Sequence, residues 1–407
     1  MDTWRDPSYD TRPALWRDAT YDQWVDWRWQ QRARARDLDA LDACANLSPA
    51  ERDAFGASAD LFHTAVTPYY ASLIDPDDPG CPVRIQSVPQ PGELTTYPFE
   101  LEDPLAEEAH MPVPGITHRY PDRVLFYVSH NCPVYCRHCT RKRKVADPTT
   151  AASRAQIQGS LDYIRDTPAV RDVLLSGGDP LTLSDARLDA ILTSIRAIPH
   201  VEVVRLGTRN PVTLPQRITP ALCEVLRRAR PIYLHTHFNH PKELTPAAAR
   251  ALRMLADAGC VLGNQMVLLR GVNDDPETVL TLNRRLLSLG CRPYYILQCD
   301  MARGITHLRT PLSTGLAIMD HLRGRIGGMG VPHFVVDLPG GGGKIELTPD
   351  YVRARRDGPH GPEIVFRNWA GEEFVFTDVA AQDDSRANAA FDHSSVKSTN
   401  ARTFGGT

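Results

Sequence analysis

The sequence predicts an α/β fold: a helical N-terminal region, then a parallel sheet with helices between its strands, then a C-terminal β-hairpin extension. Two observations carry the sheet and the hairpin in this expectation. From about Arg123, strand-like runs beginning near Val124, Val173, Val203, Ile232, Val261, Tyr294 and Phe334 alternate with helical patterns. Such strand–helix repeats imply a parallel sheet. After Lys344, the stretch EIVFRNWAGEEFVFTD reads as two alternating runs joined at Ala370-Gly371, the pattern of a hairpin. These patterns leave open whether the parallel sheet is doubly wound or rolled into a barrel.

Residues 1–110 read as mostly helical. Trp24, Trp27 and Arg28 lie at helical spacing, and the tryptophans are expected to pack in the core. Ser48-Pro49-Ala50-Glu51 is a capping box with proline at the first helical position. It predicts a helix running towards Thr67 and ended by Pro68. The stretch from Asp75 to Pro114, rich in proline and acid, reads as an irregular covering loop. Farther on, Ile157, Leu161 and Ile164 form one apolar helical face, and Leu188, Ile191, Leu192 and Ile195 another. Thr219-Pro220, Thr245-Pro246 and Thr310-Pro311 each predict a capping threonine before a first-turn proline. From about Ala380 the residues are small and polar, and disorder is expected. The expected domains are 1–110 (helical region and covering loop), 111–345 (the sheet and its site), 346–379 (β extension) and 380–407 (tail). No long-period repeat is present beyond the strand–helix alternation.

Composition narrows the function classes. The chain of 407 residues is 42% hydrophobic and 23% charged, ordinary for a globular protein with a large core. A net charge of −3 gives no basic field for nucleic acid. No apolar run is long enough for a membrane span, and the N-terminus MDTWRDPSYDTRP lacks the apolar core of a secretory signal. Nine cysteines, an odd number scattered outside one motif, do not form a disulfide framework. A reducing cytoplasm is the expected compartment.

The densest chemistry is CPVYCRHC. Cys132, Cys136 and Cys139 follow the strand-like run Val124 to Ser129 in a CxxxCxxC spacing. Thiolates are soft ligands that suit iron–sulfur clusters or zinc. Three on one loop can hold three irons of a four-iron four-sulfur cluster and leave the fourth open. Zinc competes, but a structural zinc wants four ligands, and His138 beside Cys139 is awkwardly placed to be the fourth. Three chance cysteines would be the blandest account. In PGGGGK, Pro339 to Lys344, four glycines expose backbone N–H groups and admit a bulky ligand. A nucleotide phosphate loop is dismissed, because Leu338 stands where glycine is needed and Ile345 where serine or threonine is needed. That leaves a Schiff-base lysine or a plain turn with a solvated lysine. In LLSGGD, Ser176, Gly177 and Gly178 end a strand, where glycine permits close backbone approach or simply a tight turn. Asp300 and Asp337 also end strand-like runs, so they can share a cavity and demand a cation there.

The cysteine spacing resembles that of the radical S-adenosylmethionine (SAM) enzymes. Together with THRYPDRVLFYVSHNCPVYCRHCTRKR, LLSGGD, THFNHP, PYYILQCD and FVVDLPGGGGK in this order, the chain resembles the lysine 2,3-aminomutase family from about Tyr21 to about Thr377. The resemblance implies a radical SAM partial (β/α)6 barrel, with chemistry at the carboxyl ends of its strands, where each motif falls. It implies a 4Fe-4S cluster on Cys132, Cys136 and Cys139, with SAM contacted by Ser176, Gly177, Gly178, His237 and Gln265. It implies pyridoxal 5′-phosphate (PLP) on Lys344, its phosphate and ring near Arg119, Tyr120 and Arg123. Arg141 would hold the substrate α-carboxylate, and Asp300 with Asp337 would grip its distal ammonium. The other residues of the RKRK run would be structural or surface residues.

The implied activity is an isomerase reaction, a 5′-deoxyadenosyl-radical, PLP-dependent 1,2-amino shift between L-lysine and β-lysine. Arginine 2,3-aminomutase is the nearest alternative, since two aspartates also suit a guanidinium. An RNA-modifying radical enzyme would need a basic domain, and a non-catalytic iron–sulfur or zinc protein would leave PGGGGK unexplained. Expected partners are the amino acid and an electron donor such as flavodoxin or ferredoxin, with no nucleic acid and no membrane, in a homo-oligomer. One departure stands out. No cysteine follows Cys299, and Asp275 stands where the family's partner cysteine would be, so no structural zinc is expected. Leu297 replaces a tyrosine common in the family.

Overall fold

A computed structural model describes residues 4–59, 61–145, 149 and 151–379. The expected tail from Ala380 lies outside the described residues. The chain divides into one unit up to Pro349 and a second from Asp350.

The first unit is built on a nine-stranded sheet with its strands in sequence order. They are β1 (Ile116–Tyr120), β2 (Arg123–Ser129), β3 (Asp172–Gly177), β4 (Val203–Gly207), β5 (Ile232–Thr236), β6 (Cys260–Leu268), β7 (Arg292–Gln298), β8 (His333–Leu338) and β9 (Gly343–Glu346). Strands β2 to β8 are parallel, and the antiparallel β1 and β9 flank them. Six strand–helix units, β2 through β7, are followed by β8, which makes a barrel-like sheet open between its edge strands β1 and β9. All seven strand positions read from the sequence are present.

Alternation along each strand positions the site. On β4, Val204 and Leu206 are fully buried towards the helices, while Arg205 and Gly207 face the interior cavity. The connecting helices are amphipathic as their sequences require. Ile157, Leu161 and Ile164 of helix Arg154–Arg165 and Leu188, Ile191, Leu192 and Ile195 of helix Asp185–Arg196 are all buried. Thr219 and Thr245 cap their helices by accepting the N–H of Leu222 and Ala248.

Several local expectations change. Thr310 does not cap its helix: Pro311 is the N-cap of Leu312–Leu322, and the Thr310 hydroxyl is buried without a partner. The proline therefore sits one position earlier than a first-turn proline. The Ser48 capping box forms, but its helix stops at Ser58. Val66 pairs with Ala35 instead, and Pro68 opens a new helical turn capped by Thr67. Trp24 is fully buried, donating to Ser8 Oγ at 2.9 Å, whereas Trp27 is half-buried under Arg217. Asp26 breaks the helix between them and caps the next. The covering segment contains a short helix, Pro82–Ser87. β1 and β9 went unforeseen, because short ladders at sheet edges carry little apolar periodicity.

The second unit is a three-stranded antiparallel sheet, β10 (Val352–Gly358), β11 (Gly361–Arg367) and β12 (Glu373–Thr377). The expected hairpin is β11–β12. The added β10, VRARRDG, is mostly charged and lacks the apolar alternation that would mark a strand. Among the described residues, no helix is long and apolar enough to cross a membrane.

Candidate active site

The interior of the sheet encloses a cavity of about 720 Å³. It runs from Arg123 and Asp172, at the amino ends of β2 and β3, to Gly177 and Gly178 past the carboxyl end of β3. Every residue singled out from the sequence lines it. This size suits a cofactor-bearing site.

The loop after β2 brings Cys132, Cys136 and Cys139 to the cavity wall, and no described cysteine is in a disulfide. The two glycines of LLSGGD fix where this loop begins. A Cβ at Gly177 would lie 2.3 Å from Ser129 O, and one at Gly178 would lie 2.5 Å from Asn131 O. Gly178 N–H donates to Ser129 O at 2.5 Å and Asp179 N–H to Asn131 O at 2.8 Å. The close approach these glycines permit is thus to the backbone of the cysteine loop. His138 Nδ1 and His237 Nε2 are buried in the same wall without a hydrogen-bond partner. Burial and the nearby Arg209 push His237 down to about 3, so it is neutral. Three convergent thiols, with orphaned polar atoms beside them, fit a thiolate-held cluster and a polar ligand next to it.

Arg141 projects from the end of this loop. Its Nη1 donates to Ser176 Oγ at 3.2 Å, and its Nε and Nη2 meet Glu107 Oε1 at 2.8 and 2.6 Å. Burial alone would raise the Glu107 carboxyl, but Arg141 and Lys144 outweigh it and hold it below the usual range. These contacts use three of the five N–H donors of the guanidinium. The rest of the basic run is structural. Lys142 lies 3.1 Å from the fully buried Glu93, and Arg143 lies 3.0 Å from Asp103. Arg137 also binds Glu93. The acidic covering segment is therefore strapped onto the basic cysteine loop.

Across the cavity, Asp300 and Asp337 stand at the ends of β7 and β8. Burial first, and Asp337 second, push the Asp300 carboxyl up to about 7. Asp337 is paired with Lys344 Nζ, and Arg119 lies 3.4 Å away. Tyr120 Oη accepts the N–H of Lys344 at 2.9 Å, which locks the start of β9 to β1. Arg123 lies over the Tyr120 ring at 4.0 Å. Gln265 faces the cavity from β6. A lysine amine with arginines on either side of Tyr120 fits a phosphorylated aldehyde.

Sequence reasoning missed three groups. Glu107 is one; an acidic stretch, EDPLAEE, with a basic run, RKRK, downstream was a signal of charge complementarity. The buried Arg209, held by Glu243, touches Cys136. His235 stacks on Tyr294 at 4.8 Å, and Tyr294 donates to Tyr295 at 3.0 Å inside the sheet. Arg209 and His235 lie in no quoted motif, whereas Tyr294 and Tyr295 belong to PYYILQCD without having been singled out.

Comparison with known proteins identifies the family. A family profile described as "Lysine-2,3-aminomutase" matches residues 319–406, and one described as "Radical SAM superfamily" matches residues 126–282. The chain is 47% identical over 369 residues to the L-lysine 2,3-aminomutase of Fusobacterium nucleatum, covering 91% of this chain and 86% of that one. It is 49% identical over 357 residues to the L-lysine 2,3-aminomutase of Methanococcus maripaludis, covering 87% and 82%. It is also 42% identical over 366 residues to the glutamate 2,3-aminomutase of Clostridioides difficile, covering 90% and 86%. With identity at this level across nearly the whole length, the chain belongs to the lysine 2,3-aminomutase family of radical SAM enzymes.

Proposed function

We propose that this enzyme is an L-lysine 2,3-aminomutase that interconverts L-lysine and β-lysine. Lysine and glutamate enzymes both lie among its relatives, so similarity alone leaves the side-chain end of the substrate to be argued. The observation that carries the reading is the convergence of Asp300 and Asp337 on one cavity wall, across from Arg141. Two carboxylates there repel an acidic side chain and attract a cationic one.

Membership of the superfamily implies a 4Fe-4S cluster and SAM. Cys132, Cys136 and Cys139 would hold the cluster, with Ser176, Gly177, Gly178, His237 and Gln265 close enough to contact SAM. Lys344 would hold PLP, with Arg119, Tyr120 and Arg123 around its phosphate and ring. When bound, the cluster and SAM supply a 5′-deoxyadenosyl radical, and PLP delocalises the unpaired electron during the shift. The chain's own residues orient. Arg141 would take the α-carboxylate on its remaining N–H donors and fix the substrate at the cluster side. Asp300 and Asp337 would take the far ammonium and fix the opposite end. Held at both ends, the substrate's Cα and Cβ are kept at one place between the two cofactors, which is catalysis by positioning. Buried walls keep water from a reactive intermediate. An external one-electron donor of the flavodoxin or ferredoxin type would reduce the cluster.

The test is product analysis under anaerobic reducing conditions with lysine, arginine, glutamate and alanine offered separately. β-Lysine as the main product is expected. β-Arginine as the main product would transfer the assignment to arginine, and β-glutamate would overturn the two-aspartate argument.

A further inference from the structure

Arg209 lies just past the carboxyl end of β4, and only 8% of it is exposed. A buried guanidinium must satisfy its donors. Nε donates to His237 O at 3.2 Å. Nη2 meets Glu243 Oε1 at 2.8 Å, Gln86 Oε1 at 2.6 Å and Tyr70 Oη at 3.1 Å. Nη1 reaches Cys136 Sγ at 2.8 Å. The backbone N–H of Arg209 donates to Asp179, at the end of the glycine turn that fixes the cysteine loop.

The anchor behind Arg209 is equally built. Glu243 is fully buried and accepts from Tyr70 Oη at 2.7 Å and from the N–H groups of Asn239 and His240 at 2.6 and 3.0 Å. The arrangement is a dipole with a fixed direction. Its negative end, Glu243, faces away from the cysteine loop, and its positive end touches one thiol of the three. Neither residue bears on the substrate ends assigned above.

We infer that Arg209, oriented by Glu243, is a positioning residue that sets the reduction potential of the cluster through a charge-assisted hydrogen bond to the Cys136 sulfur. This rests on the reading of Cys132, Cys136 and Cys139 as the cluster ligands. Reduction adds one electron, supplied by the external donor, to the iron–sulfur core and its thiolates. A cationic donor stabilises that added charge more than it stabilises the oxidised cluster, so it raises the potential. Glu243 opposes the effect by partly neutralising the guanidinium. The two residues therefore act with opposite sign, which a role in folding alone would not produce.

The experiment is an EPR-monitored redox titration of the anaerobically reconstituted full chain, with iron and sulfide content measured on each sample. Arg209→Gln should lower the reduced-to-oxidised ratio at fixed potential at least tenfold, a downward shift of about 59 mV for a one-electron couple. Glu243→Gln should shift the potential upward. A wild-type potential in Arg209→Gln, or shifts of the same sign in both variants, overturns the inference. If Arg209→Gln binds no cluster, Glu243→Gln decides: an upward shift supports the inference, and an unchanged or lowered potential defeats it. Arg209→Lys, which keeps the charge, should shift less than Arg209→Gln; if Glu243→Gln also fails to load, a wild-type potential in Arg209→Lys defeats the inference and a lowered one supports it. Wild type without a cluster, or Cys136→Ala with an intact one, would instead reject the ligand assignment beneath it.

Discussion

Lys344 stands directly opposite Asp337 across the β8–β9 ladder, and its ammonium rests on that carboxylate. The glycine run makes this pairing possible. Gly340, Gly341 and Gly343 all have positive φ, at 67°, 84° and 88°, conformations that other residues adopt only under strain. The chain thereby reverses within a few residues and returns Lys344 to the wall it has just left. The Asp337 carboxylate is thus the counterion of the amine that would carry a cofactor aldehyde.

Borohydride treatment of PLP-loaded protein should therefore fix PLP covalently, and peptide mapping should find it on Lys344. Lys344→Arg retains a cation for Asp337 but should neither trap PLP nor turn over substrate. A label on another lysine would remove Lys344 from the mechanism.

Much of this was legible in the sequence, and the reasons differ by element. Parallel strands such as VLLSG and VVRLG read clearly because β-branched and apolar residues cluster between turn signals, with one face buried against the helices. Asp300 and Asp337 were legible because they end such strands, and strand ends converge; Lys344 was legible from the glycine run that precedes it. The strap was not. Its order comes from pairing between Asp103, Glu107 and Glu108 on one side and Arg141, Arg143 and Lys144 on the other. Such pairing is a tertiary relation with no local periodicity. Arg209 and Glu243 were invisible for the same reason: 34 residues separate them, and each alone looks like a surface charge.

The Asp300 carboxyl, raised to about 7 by burial and by Asp337, makes a stability prediction with a definite sign. Between pH ~4 and ~7 the native state keeps a proton that the unfolded chain has lost. Native stability at this site therefore falls as pH rises through that window. A shift of about three units corresponds to about 4 kcal/mol. Without substrate, Asp300→Asn should be more stable than wild type at pH 8, and the difference should vanish near pH 4. Substrate binding needs the ionised form, so wild-type kcat/KM for lysine should fall about tenfold per unit below pH 7. Thermal melts and rate profiles across pH 4–8 check both. A variant less stable than wild type at pH 8 would contradict the sign.

The cysteine loop gives a simpler expectation. Cys136→Ala should lose the four-iron cluster and SAM cleavage after anaerobic reconstitution, because two thiolates leave one of the three held irons without its ligand. Full iron and sulfide content with normal turnover would exclude Cys136 as a ligand.

The two aspartates are the sharpest test of substrate choice, because their situations differ. Asp337 already neutralises Lys344 and lies 3.4 Å from Arg119, whereas Asp300 forms no ion pair among the described residues. Breaking a buried charge pair costs about 3–5 kcal/mol. At roughly 1.4 kcal/mol per tenfold, that is about two to three and a half decades in kcat/KM. Asp300→Asn and Asp337→Asn should each lower kcat/KM for lysine at least about a hundredfold, with cluster and PLP content unchanged. Their stabilities should diverge. Asp300→Asn relieves a buried carboxylate and should gain stability at pH 8. Asp337→Asn strips Arg119 and Lys344 of their shared counterion and should lose it. Kinetics, iron content, PLP content and melting temperature measured on both variants separate the cases. If either variant kept more than a tenth of wild-type kcat/KM for lysine, its carboxylate would not be gripping the substrate ammonium.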